Sequence, residues 1–148
     1  VENDVPLIFG DFDEVHQVVM NLMTNAAQAI GEEIGTVETG LRRIVVDESR
    51  RFGSGTLARG TYVVFSVADT GRGMDEVTRE RIFEPFFSTR KGADGAGLGL
   101  AIVERIVSGH GGLLSVTSGP GEGTRIEAVF PAWDGEASAE VRTETIDA

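Results

Sequence analysis

The chain has no cysteine in 148 residues, which excludes a disulfide framework, a thiol nucleophile and a cysteine-ligated zinc site. Positive charge is scarce: 13 Lys and Arg stand against 24 Asp and Glu, a formal net charge of −11. Nucleic acid and anionic membrane surfaces attract basic proteins, so neither is the expected partner. No apolar run approaches the roughly 20 residues of a spanning helix, and no signal peptide opens the chain. A cytoplasmic setting without direct membrane contact is therefore expected, and the lack of cysteine fits it. The chain starts at Val1 rather than Met, as a piece of a longer protein would. Proline and large aromatics are few, yet 41% hydrophobic residues suffice for one core, which argues against disorder throughout.

Glycine is the abundant exception, with 20 copies. Many fall in clusters: Gly71-Arg72-Gly73, Gly95-Ala96-Gly97-Leu98-Gly99, Gly109-His110-Gly111-Gly112 and Gly119-Pro120-Gly121-Glu122-Gly123. Such clusters mark backbone that turns sharply or lets something approach closely. Between them the apolar spacing predicts a helix over 13–30, capped by Asp13, with Val15, Val18, Val19, Leu22, Met23, Ala26 and Ile30 as its buried stripe. Strands are expected over 42–47, 62–68, 113–117 and 125–130, with a polar link over 50–60 and a further short strand over 6–9. Helices are expected over 75–83, ended by Pro85, and over 98–108. Residues 88–97 read as a mobile loop. The order predicts an α+β two-layer sandwich: a mixed sheet covered on one face by helices. Residues 1–132 form the expected domain, and 133–148 an acidic tail or linker.

Three local patterns carry chemistry. Asn21 and Asn25 lie one helical turn apart on one face. An amide oxygen is a hard ligand that suits Mg²⁺ without adding negative charge, although a solvated polar pair would look the same. Asp69-Thr70-Gly71-Arg72-Gly73-Met74 follows an apolar strand directly. A carboxylate there can accept from the exocyclic amino group of adenine while the glycines let a flat base lie on backbone. A tight Asx-type turn is the plainer alternative. Gly95 to Leu100 opens a helix, where backbone N–H groups make an anion site, and Arg90 and Lys91 stand just upstream. Its spacing is neither the dinucleotide fingerprint nor a P-loop, and a flexible link before a core helix would also produce it.

Taken together, these three are a metal ligand, a base reader and a phosphate cradle. With them the chain resembles the catalytic ATP-binding domain of sensor histidine kinases, in the superfamily of gyrase, Hsp90, histidine kinase and MutL. The resemblance covers residues 7–131. Residues 13–26 resemble the N box, Asp69 to Gly73 the first glycine box, and Phe83-Glu84-Pro85-Phe86-Phe87 the F box. Gly95 to Leu100 resembles the second glycine box, and Gly121-Glu122-Gly123-Thr124 the closing one.

This resemblance implies a Bergerat-type fold with ATP and Mg²⁺ as cofactors. It implies that Asn25 ligates the metal and that Asn21 supports metal or phosphates. Asp69 would bind the adenine amino group, with Thr124 sharing a water beside it. Gly71, Gly73, Met74 and Ile82 would border the base. Residues 83–97 would form a lid anchored by Phe86 and Phe87, with Arg90 and Lys91 near the phosphates and Gly95, Gly97, Leu98, Gly99 and Leu100 beneath them. Many relatives carry Lys or His where this chain has Gln28, which brings a hydrogen bond but no charge.

The implied partners are a helical dimerisation and phosphoacceptor domain and, downstream, a response regulator, the isolated domain being monomeric. Two rival readings are an ATP hydrolase and a degenerate nucleotide-binding module. The hydrolases place a Glu base where Asn21 stands, and an amide cannot take a proton from water. His16 and His110 lack the flanking pattern of a phosphoacceptor, and His110 reads as a helix-end structural residue. The pairs Arg42-Arg43 and Arg50-Arg51 read as solvated.

Overall fold

The computed structural model describes Ile8, residues 10–87 and residues 99–133. Helix α1 spans Phe12–Ile30. Strand β1 (Val37–Val46) leads into a small hairpin, β2 (Arg50–Phe52) and β3 (Gly55–Leu57), and then into β4 (Gly60–Asp69). Helices α2 (Glu76–Arg81) and α3 (Gly99–Gly109) follow, before β5 (Leu113–Ser118) and β6 (Thr124–Pro131). Four strands form the main sheet in the order β1-β4-β6-β5.

The two-layer α+β architecture is the expected one, but the sheet is antiparallel at each described pairing rather than mixed. Short connections account for two of the three pairings. β1 reaches β4 through the hairpin, and β5 reaches β6 through a five-residue turn, too little chain for a parallel crossover. The segment expected as a strand over 6–9 contributes one antiparallel bridge, Ile8 to Ala132.

Two cores lie on opposite faces of the sheet. On the helix face, Val18, Leu22 and Ala26 of α1 meet Val103, Ile106 and Val107 of α3 over Val67, Ile126, Ala128 and Phe130. Each of the Val, Leu, Ile and Phe side chains withdrawn from water here contributes about 1.5–3 kcal/mol. Met23, expected in the stripe, is instead exposed, because it sits on the flank of α1 turned away from this cluster. The second core gathers Val46, Leu57, Tyr62, Val64 and Val129 under the hairpin. The polar link expected over 50–60 is therefore a strand pair that shields one end of the outer face. Its bond from the Tyr62 hydroxyl to the Ala58 carbonyl is 2.6 Å long.

The α1 cap is Asp11, not Asp13: its carboxylate accepts from the N–H groups of Asp13 and Glu14. Asp13 lies inside the first turn, where its charge favours the positive helix end. Asp75 caps α2 by accepting from the Thr78 N–H at 2.8 Å, a bond that holds its carboxyl below the usual range. On the outer face Arg42 is not simply solvated. It pairs with Glu127 at 2.7 Å, and Arg125 approaches the same carboxylate at 3.5 Å.

Candidate nucleotide-binding site

Register brings Asp69, Thr124 and Ser118 side by side across β4, β6 and β5, where the three strands end together. All three point to the helix face. Asp69 and Thr124 are only 8% and 7% exposed, a rare burial for a carboxylate. Desolvation raises the Asp69 pKa. The Gly71 and Thr124 backbone N–H groups and the Arg72 guanidinium act the other way without cancelling that rise. The Gly71 N–H reaches Asp69 Oδ1 at 2.8 Å. A carboxylate has further acceptor capacity beyond one such bond, so this buried acid can take a donor from a ligand.

Ser118 is the residue sequence reasoning missed. Its hydroxyl accepts from the Met74 N–H at 2.9 Å and donates to the Gly123 carbonyl at 2.8 Å. That second bond uses its single proton, so the Thr124 hydroxyl, 2.9 Å away, must be the donor between them. Thr124 thus keeps its lone pairs for a water or ligand beside Asp69. The available signal was position: Ser118 closes a strand directly before the glycine-rich turn.

The two glycine turns interlock at this end of the sheet. The Gly121 N–H donates to the Arg72 carbonyl at 2.8 Å. Gly73 has φ +69°, and a Cβ there would fall 1.9 Å from the Gly119 carbonyl oxygen. Gly123 has φ +73°, and its Cβ would fall 2.1 Å from the Asp69 carbonyl oxygen. Any side chain at either place would drive the turns apart, so glycine is required by both conformation and space.

Helix α1 supplies the next wall. The Arg72 N–H donates to the Ala29 carbonyl at 3.3 Å, joining the turn after Asp69 to the end of α1. Asn21, Asn25 and Gln28 are half-buried along one flank of α1. Asn21 Nδ2 donates to the Gly99 carbonyl at 3.1 Å, so this side chain ties α1 to the first turn of α3. Asn25, one turn further, makes no hydrogen bond among the described residues. Its amide is available to a ligand. Gln28 makes a contact within the protein.

Met74 is half-buried and Ile82 is 6% exposed, and both follow the Asp69 turn. In the F box, Phe87 is half-buried with the Arg81 guanidinium 4.6 Å over its ring, while Arg81 also pairs with Glu84 at 2.8 Å. Phe86 does not pack with it: Phe86 is 74% exposed at φ +68°. Leu100 packs against the helix-face core. Arg90, Lys91, Gly95, Gly97 and Leu98, and the loop expected over 88–97, lie outside the described residues, as does the tail from 134.

The chain belongs to the family described as histidine kinase-, DNA gyrase B-, and HSP90-like ATPases, which matches residues 10–134. It is 40% identical over 124 residues to the sensor histidine kinase ZraS of Klebsiella oxytoca, across 84% of this chain and 23% of that protein. It is 36% identical over 122 residues to the sensor kinase CckA of Brucella abortus, across 82% of this chain and 13% of that protein. The chain thus spans less than a quarter of either relative. Among solved structures, full-length ShkA in complex with AMPPNP aligns with TM-score 0.64 and 34% identity, over 90% of this chain and 24% of that one. The mycobacterial sensor histidine kinase MprB aligns with TM-score 0.63 and 28% identity, over 84% and 76%. The fold is that of histidine kinase ATP-binding domains. Among the described residues no helix is long and apolar enough to cross a membrane.

Proposed function

We propose that this chain binds Mg-ATP and acts as the catalytic domain of a sensor histidine kinase. In this reading it presents the γ-phosphate to a histidine on a separate helical dimerisation domain, for relay to a response regulator, in the cytoplasm. The observation that carries it is the row of buried Asp69 and Thr124 with half-buried Ser118, beside the Asn25 amide, which has no partner among the described residues.

Asp69 accepts the adenine amino group, which guanine, with a carbonyl oxygen in that place, does not offer. Thr124 holds a water at the same edge. Gly71, Gly73, Met74 and Ile82 border the base, and Phe87 with its Arg81 partner anchors the start of the lid. Asn25 is the protein's ligand to Mg²⁺, which when bound neutralises charge on the phosphates. No group of three or more His, Asp or Glu side chains gathers among the described residues, so most of the metal's ligands come from nucleotide and water. Asn21 orients the first turn of α3, whose N–H groups face the phosphate end with Gly99 and Leu100. Arg90, Lys91, Gly95, Gly97 and Leu98 complete that end in the same reading. Catalysis here is positioning and charge neutralisation, with the acceptor delivered by the partner domain.

The hydrolase reading is disfavoured by one observation: the place of a general base holds Asn21, whose amide nitrogen is engaged by the Gly99 carbonyl. The test mixes the chain with a helical phosphoacceptor domain in trans and follows labelled phosphate. Alone, the chain is expected to bind ATP as a monomer without labelling itself or releasing phosphate quickly. With the partner, label is expected on the partner alone, and Asn25→Ala is expected to weaken binding only when Mg²⁺ is present. Label on His16 or His110, or rapid release without the partner, refutes the kinase reading.

A further inference from the structure

The interface between α1 and α3 is fastened at both ends. At the site end, Asn21 Nδ2 bonds the Gly99 carbonyl. Ten residues back along α1 and eleven forward past α3, the Asp11 N–H donates to His110 Nε2 at 3.3 Å. Glu14 and Arg105 meet between them at 3.9 Å, but both are well exposed, and such pairs contribute little. The two helices therefore run antiparallel, with His110 as the far clasp.

The surroundings of His110 leave its ring one arrangement. The Asp11 N–H can only donate, so Nε2 must carry a lone pair. The Ile106 carbonyl, 2.8 Å from Nδ1, can only accept, so Nδ1 must carry the proton. The ring stands edge-on to buried Phe130, with centroids 5.9 Å apart and planes at 85°. Gly10 closes the remaining side: a Cβ there would lie 2.6 Å from His110 Cδ2 and 2.7 Å from Nε2. A side chain at position 10 would push the ring off its acceptor position. Ile8 is held two residues earlier by its bridge to Ala132.

We propose that His110 is a positioning residue of the nucleotide site. It holds the first turn of α1 against the end of α3 and so fixes the tilt of the helix that carries Asn25 toward the phosphates. The apolar core seats the middle of α1 around Val18, Leu22 and Ala26, but a helix held at its middle and one end can still rock. Small displacements of a metal ligand are enough to weaken binding. This role rests on the nucleotide site proposed above.

The experiment combines imidazole nitrogen NMR with calorimetry on the whole 148-residue chain. The expected spectrum is a neutral ring protonated at Nδ1. Gly10→Ala and His110→Ala are each expected to weaken Mg-ATP binding about three- to tenfold while leaving adenosine binding unchanged. The double variant should be no weaker than His110→Ala, because the added methyl then has no ring to strike. His110→Gln, whose amide oxygen can reach the place of Nε2, should recover most of the affinity.

A ring protonated at Nε2, additive losses, unchanged Mg-ATP affinity in the variants, or equal losses for Mg-ATP and adenosine would each overturn the proposal. Failure of the unmodified chain to bind Mg-ATP would remove the nucleotide reading and the positioning role together. The Nδ1 proton and non-additive unfolding midpoints would in that case still mark the clasp as real. The NMR measurement needs no variant, so a poorly folding substitution does not block the test.

Discussion

Replacing Ser118 with alanine removes a side chain that joins three parts of the candidate site. Three hydrogen bonds disappear: from the Met74 N–H, to the Gly123 carbonyl and from the Thr124 hydroxyl. Each contributes a net of about 0.5–1.5 kcal/mol, and a group left dry and unpaired costs more. Because Ser118 and Met74 are half-buried rather than sealed, water can partly replace the lost partners. The expected loss is therefore about 2–3 kcal/mol, roughly 10 °C in Tm for a domain of this size. Urea unfolding should show a lower midpoint with an unchanged slope, since the exposed surface is the same. Hydrogen exchange at the Met74 amide should quicken by more than that at β4 amides, because its acceptor is the group removed. ATP affinity should fall as well, since the Gly73 and Gly123 turns lose their common anchor. A stability loss below about 0.5 kcal/mol, with the Met74 amide still protected, would refute this account of Ser118 as the hub.

Asp69→Asn tests the buried acid. Its folded pKa is raised by desolvation, so ionising it costs folding free energy. That cost is absent below the ordinary aspartate pKa, grows as pH rises from there to the raised folded value, and is fully present above it. The Asn variant keeps an acceptor for the Gly71 N–H, so at neutral pH it should be as stable as the parent or more so, while adenine binding fails; melting curves from pH 3 to 7 that converge at low pH check the sign. Gly123→Ala should cost more than 2 kcal/mol, from about 1–2 kcal/mol for a left-handed alanine plus the clash with the Asp69 carbonyl. A normal Tm in that variant would count against the interlocked turns.

How far the chain could be read without its tertiary structure depends on the range of the forces involved. Helices α1 and α3 were legible because apolar side chains recur along one face, a property of neighbouring residues. Strand β4 was legible because Tyr62 to Ala68 is β-branched and aromatic. The glycine boxes were legible as clusters, and so was the position of Asp69 at the end of β4, directly before the first of them. The cap of α1 was misplaced by two residues because Asp11 and Asp13 are equally good caps in isolation. The Ile8 bridge and the Tyr62 hydroxyl bond to Ala58 then set how the chain enters and leaves these elements. The hairpin of β2 and β3 was read as a link because Phe52 and Leu57 are too few to show a period. They become a core only against Val64 and Val129 from distant strands.

By itself, then, the sequence determined the two-layer class and the order of the boxes. These follow from local spacing and from the chemistry each side chain carries. Only the tertiary structure decided that Asp69, Thr124 and Ser118 stand in one row, since strand register depends on which faces must be buried together. It alone gave Asn21 its partner in Gly99, Arg42 its partner in Glu127, and His110 its place against Gly10 and Asp11. The hydrogen bonds among them join residues 78 to 99 positions apart. A hydrogen bond acts over about 3 Å, and only the folded chain brings such distant groups within that reach.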